Sequence, residues 1–153
     1  MTLSLDHDNL KSDLEAAARA LGVSIRSEER NEAGEGARVT RSRVQEVRLP
    51  KASHVRARFA REGLIARAKK LFVEEVEVGA AWFDDHVFVI TSTKEATAHL
   101  LSERRVQVAL VMLVDETRTV EIDGDVVRVH DDDAPDDGRD AAAELLAVVA
   151  HLV

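Results

Sequence analysis

At 153 residues the chain has the length of one domain, and its 45% hydrophobic content is enough for a single core. Aromatics are only 3%, so that core must be built from Val, Leu, Ala and Ile, and the absence of cysteine excludes disulfides, thiol catalysis and thiolate metal sites. The net charge of −8 hides an asymmetry: residues 38–70 hold eleven Lys or Arg against Glu46 and Glu62, while residues 115–140 hold eleven acids against Arg118, Arg128 and Arg139.

Two readings of that asymmetry follow. Either the segments are neighbours in the fold and attract each other, or the basic one is a docking surface for an anionic partner. No run approaches the roughly 20 apolar residues of a membrane span. The N-terminus is acidic and lacks the basic-then-apolar design of a secretory signal, so a soluble cytoplasmic protein is expected.

In chain order, residues 8–21 place Leu10, Leu14, Ala17, Ala18 and Leu21 at helical spacing. Asp6 or Asp8 can cap this helix, and Gly22 can close it in the left-handed conformation. "VSIRSEER" reads as a strand running into a turn, and "NEAGEGA" as a loop. "RVTRSRVQEVRL" predicts an exposed strand that Pro50 ends. "SHVRARFAR" alternates Val55, Ala57 and Phe59 against Arg56, Arg58 and Ala60, the pattern of a half-buried strand, although Val55 and Phe59 also fit a helix. "GLIARAKKLFVEEVEVG" yields no assignment.

"HVFVIT" predicts a strand buried on both faces, after which Thr91 or Ser92 can cap a helix through "KEATAHLL". Ser102 suggests a further helix start. In "VQVALVML" the β-branching favours strand while Val106, Leu110 and Leu113 favour helix, and the balance leans to helix. "RTVEIDGDVVRV" predicts a hairpin turning at Asp123-Gly124, with Val120 opposite Val127 and with Ile122 and Val129 on the same face. In the polar linker "HDDDAPDDG", Asp136 and Asp137, with Asp140 beyond it, favour the N-terminus of a closing helix. That helix, "DAAAELLAVVAHLV", is apolar on nearly every side. Leu145, Val148, Val149 and Leu152 therefore mark an expected self-association surface, the alternative being that Leu145, Leu146, Val149 and Leu152 dock on the sheet.

Candidate chemistry is sparse. Asp84, Asp85 and His86 could orient a general base or ligate a metal. Neighbours on an extended strand point to opposite faces, however, so Asp85 and His86 should not converge. Trp82, Phe83, Phe88 and Leu100 read instead as a structural anchor, with Phe83, Phe88 and Leu100 buried and Asp84 or Asp85 reaching solvent or a backbone amide. A calcium loop would need Asp133, Asp137 and Glu144 as ligands, but Pro135 would hold a ligand position. No H-x-x-x-H pair, phosphate loop or G-x-S-x-G elbow occurs. Arg41, Arg43, Arg56 and Arg58 are the candidate anion ligands, if their strands pair and they share a face. The basic segment has few aromatics for stacking on single strands.

The stretch "WFDDHVFVITSTKEATAHLL", followed by "VALVML" and a hairpin, resembles a bacterial domain of unknown function. Phe83, Asp84, Phe88, Val89, Thr93, Leu100 and Leu101 carry the likeness, which covers about residues 54–130. Proteins with such a domain are often membrane-tethered, and no tether is expected here. The resemblance implies no catalytic residues, and its motif reads as packing. The combined expectation is one domain, 1–153, of the α+β class: a twisted, mainly antiparallel sheet with N-terminal, central and C-terminal helices. Its expected role is that of a non-enzymatic interaction or regulatory module without catalytic residues, metal or cofactor. It would take a protein partner or a second copy, with a polyanion as the alternative and an Asp85/His86 enzyme third.

Overall fold

The computed structural model describes residues 7–33, 39–61, 74–75, 78–115, 117–131 and 142–153. Helix α1 (His7–Leu21) precedes strands β1 (Ile25–Ala33), β2 (Val39–Arg48), β3 (Arg56–Ala60) and the two-residue β4 (Glu74–Glu75). A single-turn helix α2 (Ala81–Asp84) leads into β5 (Phe88–Thr91), then helices α3 (Lys94–Leu101) and α4 (Arg104–Leu113). The hairpin of β6 (Arg118–Asp123) and β7 (Val126–Asp131) follows, and helix α5 (Ala142–Val149) closes the chain. The strands form one antiparallel sheet in the order β1-β2-β7-β6-β3-β5-β4. The architecture is the α+β class expected from the sequence.

Local signals explain most elements. Gly22, at φ 73°, ends α1: its amide bonds to Arg19 O at 3.0 Å and the Val23 amide to Ala18 O at 2.9 Å. These two bonds satisfy carbonyls that the last turn would otherwise leave open. Asp6 lies outside the described residues, as do residues 34–37 of the NEAGEGA loop and most of 62–77; Asp8 falls inside α1 rather than at its cap, and residues 31–33, expected in the loop, continue β1. Before α3 the cap position is Thr93 rather than Thr91 or Ser92. The Thr91 hydroxyl instead accepts the Thr93 amide at 2.9 Å and donates to Arg56 O at 2.8 Å, joining the end of β5 to β3. The Ser102 hydroxyl donates back to His99 O, closing α3, and Glu103 stands at the start of α4.

Alternation along the strands sorts the two sheet faces. Val47, Val127, Val129, Val120, Ile122, Ala57, Phe59 and Val89 are buried on the face that meets the helices. Val106, Leu110 and Leu113 bring α4 onto this core, which resolves the ambiguous "VQVALVML" as helix. The β6–β7 turn differs from expectation. Asp123 pairs with Val126, so the two loop residues are Gly124 and Asp125; Val120 lies opposite Val129 and Ile122 opposite Val127. The faces are unchanged because the pairing moved by two positions. Gly124, at φ 64°, takes the first loop position, where a left-handed residue suits the strand twist.

The β2–β3 connection is bonded to this turn. The Leu49 amide donates to Asp125 O, the Gly124 amide to Val55 O, and both the amide and the hydroxyl of Ser53 donate to Gly124 O. Helix α5 packs against α4 and touches α1. Leu145, Val148 and Val149 are buried within the single chain and Leu152 is partly buried. The expected self-association surface is therefore corrected: these side chains cover the chain's own core, because helices flank α5 on more than one side.

Candidate functional site

The Asp84-Asp85-His86 triplet disperses. Asp84 ends α2 and folds back, its two carboxylate oxygens accepting the amides of Val78 and Gly79, each at 2.8 Å. This is a structural clamp on the loop entering α2, because a charged acceptor satisfies two main-chain donors at once. Asp85 is exposed. His86 faces Arg61, whose Nη2 lies 3.3 and 3.4 Å from the two ring nitrogens, a near-equal spacing that places the guanidinium across the ring. Phe83 is wholly buried and Leu100 nearly so. Trp82, the fourth residue of the expected anchor, is 43% exposed, because consecutive residues of a helix point about 100° apart and Phe83 takes the inward direction. Phe88 is only half-buried, packed with Ala60 and Ile90 in a small cluster separate from the main core. Among the described residues no group of three His, Asp or Glu side chains gathers as a metal ligand set. Asp133 and Asp137 lie outside the described residues.

The four candidate arginines do not form one surface. Of Arg41 only the strand position is described, opposite Asn31. Arg43 shares the helix-side face with Val47, sits between Glu29 and Asp131 in register, and pairs with Glu29 at 2.7 Å. Arg118 completes this row by pairing with Asp131 at 3.3 Å. Arg58 lies on the opposite face. There the register aligns Glu46, Arg128, Glu121 and Arg58 across four strands, with bonds of 2.9, 3.1 and 3.0 Å between successive members. Arg56 faces Asp123 at 3.5 Å, and Arg48 faces Asp125 at 3.5 Å. The basic and acidic segments are thus neighbours, brought together because the β6–β7 hairpin inserts between β2 and β3. The Glu46 hydrogen bond, working against partial desolvation and joined by that of Glu121, raises the Arg128 pKa above its ordinary value. Opposite charges directly across strands stabilise the pairing itself.

A different surface carries chemistry that is not internally matched. On α4 the residues opposite the buried face are Arg104, Val108 and Met112, spaced four apart and therefore aligned along the helix. Val108 is 41% and Met112 60% exposed. Helix α2 packs beside α4 and adds Trp82, whose ring lies edge-on to Phe83 at 6.2 Å and beneath the Arg104 guanidinium at 5.8 Å. Val108 and Met112 thus make an apolar strip on α4, with Trp82 beside Arg104 at its N-terminal end.

The charges at its N-terminal end are mixed: Glu103 at the cap position suits the helix dipole, and the two arginines that follow oppose it. Arg104 and Arg105 occupy the first turn of α4, where the helix favours anions, and the turn contains no acid. Among the described residues neither forms an ion pair; Arg104 makes only its contact with Trp82. Beyond the C-terminal end stands Asp115, whose Oδ1 accepts the Thr117 and Arg118 amides and the Thr117 hydroxyl. Sequence reasoning missed this strip, although its signal was present: once "VQVALVML" is a helix with Val106, Leu110 and Leu113 inward, Val108 and Met112 must face out.

Comparison with family models, with curated proteins and with solved structures finds no match to this chain.

Proposed function

We propose that the protein is a non-enzymatic interaction module of a bacterial cytoplasm, and that α2 and α4 form its docking face. The observation that carries this reading is the exposed pair Val108 and Met112 on α4, with Trp82 at the Arg104 end, beside two arginines that form no ion pair among the described residues. Aromatic, methionine and arginine side chains are the types enriched where proteins meet. No helix among the described residues is long and apolar enough to cross a membrane. The polyanion alternative draws on Arg56 and Arg58, each of which already faces a carboxylate that competes with any added anion. The Asp85/His86 enzyme is disfavoured by the separate partners of the triplet.

A photoreactive benzophenone amino acid placed at Val108 in living cells tests the reading. The expected result is a discrete protein adduct at Val108, lost when Met112→Glu is added, and no such adduct from the same group at exposed Lys51. Equal adducts at both positions, or none at Val108, would exclude α4 as the docking face.

A further inference from the structure

We propose that the outer edge of β1 pairs with the same edge of a second copy, antiparallel about a two-fold axis at Glu29, joining two seven-stranded sheets into one. This edge is built from different residues than the α2–α4 face and does not depend on it. The two ends of the sheet differ. β4 has two residues, whereas β1 has nine, all in register with β2, and among the described residues nothing bonds to its other side. An edge of that length presents a row of main-chain donors and acceptors to any strand that fits. What selects the strand is the charge along it. Arg26, Glu28, Arg30 and Glu32 alternate in sign and, being two apart, hold register positions on one face of the sheet, the face of Glu46 and Arg128. An edge guarded against pairing is well served by charges of one sign, which repel in every register; alternating signs do not.

A two-fold axis perpendicular to the sheet keeps each face on its own side, so the axis must pass through a residue. With the axis at Glu29, Arg26 lies opposite Glu32 of the other copy and Glu28 opposite Arg30, and symmetry repeats both pairs. Moving the axis one residue either way sets Arg26 against Arg30 or Glu28 against Glu32. The strand thus favours one register over its neighbours, because opposite charges directly across strands attract and like charges repel. The charge row across the sheet points the same way. Arg58, Glu121, Arg128 and Glu46 alternate over four strands, and the next residue in register is Arg26 on β1. Arg26 is exposed and forms no ion pair among the described residues. Glu32 of the other copy continues the alternation. Glu28 faces Val44 within its own chain and is likewise exposed without an ion pair among the described residues. The one like pair falls on the axis, where Glu29 meets itself; each carboxylate there is already held by Nε and Nη2 of its own chain's Arg43.

Sedimentation equilibrium of the full chain, from low to high micromolar concentration, should show a weight-average mass rising from 16.8 kDa toward twice that value. Glu28→Arg and Arg30→Glu each create two like pairs across the axis and should each weaken association about tenfold. The double exchange should restore it, since the same pairs re-form with their signs reversed. Neither position faces a charge on β2, so the exchange leaves the chain's own pairing in place. The chain has no cysteine, and a single introduced one therefore reports the register. In Glu29→Cys the two thiols face each other across the axis, within disulfide reach. In Ser27→Cys they lie about 13 Å apart along the strand, beyond it. Mild oxidation should link Glu29→Cys and leave Ser27→Cys largely unlinked. A constant monomer mass overturns the proposal. A dimer that both single reversals leave intact, or that Met112→Glu abolishes while Glu28→Arg does not, also overturns it by placing the contact elsewhere. Failure of the double exchange to recover association, or equal linking of the two cysteine variants, would overturn the register at Glu29.

Discussion

Trp82 and Phe83 are adjacent aromatics with opposite environments, and their replacement by alanine should separate sharply. Phe83 is fully buried in the main core. Removing its ring loses transfer free energy and leaves a cavity that neighbouring elements only partly fill, a cost of about 3–5 kcal/mol. For a chain of this size, about 4 kcal/mol corresponds to a fall in melting temperature of about 8–16 °C. Trp82 is 43% exposed, and its ordered contacts are the edge of Phe83 at 6.2 Å and Arg104 at 5.8 Å. Those contacts are worth about 1–2 kcal/mol together, so Trp82→Ala should lower the melting temperature by only about 2–8 °C. Far-UV circular dichroism is the appropriate assay, because the Trp82 variant has no tryptophan to report fluorescence. Both chains should be melted at the same protein concentration. Equal destabilisation by the two replacements, or a larger effect from Trp82, would refute the assignment of Phe83 as the inward residue and of Trp82 as a surface one.

A double-mutant cycle on Glu46→Gln and Arg128→Gln should give a coupling of about 1 kcal/mol in urea unfolding, reduced by added salt; zero coupling at low salt would mean that the cross-strand row is ornamental. Val148→Glu should unfold the monomer rather than merely change its association state, since it sets an uncompensated carboxylate at a fully buried position. A folded, soluble Val148→Glu chain with normal melting would contradict the packing of α5. Asp84→Ala should cost about 1.5–3 kcal/mol by stranding the Val78 and Gly79 amides, whereas Asp85→Ala, at an exposed position, should stay within about 0.5 kcal/mol. Equal denaturation midpoints for those two variants would remove the clamp.

The fold class and most elements were legible because their signals are local. Apolar spacing and Gly22 mark α1 and its end, and alternation marks β3. The Asp-Gly pair marks the β6–β7 turn, while the loop residue that takes the left-handed geometry is decided by contacts with Leu49, Ser53 and Val55, far away in sequence. The same limit applies to Trp82 and Phe83: composition announces an aromatic pair, but the rotation of a one-turn helix decides which ring is inside. Likewise, α5 is apolar on several sides because neighbours from distant parts of the chain surround it, and that is indistinguishable in sequence from a helix awaiting a partner. The neutralisation of the arginines was legible as a segment-level attraction. Its row-by-row pairing was not, since it depends on a hairpin inserting between two earlier strands.

That insertion has a consequence for how the chain is made. β2 and β3 leave the ribosome early, yet neither borders the other. The hairpin that joins them is reached only after all the central helices, with Arg58 meeting Glu121 across 63 residues and Glu46 meeting Arg128 across 82. Closing loops of this length costs about 4 kcal/mol of chain entropy before the strands return any of it. A nascent chain ending at α4 therefore carries strands whose inner edges have no neighbours, and the apolar residues Val47, Ala57 and Phe59 face an unfinished layer. Emergence of Asp131 is the earliest point at which the β2 to β5 region of the sheet can close. Until then those edges are templates for wrong pairing with other chains, and the interval makes the β6–β7 hairpin the keystone of biosynthesis.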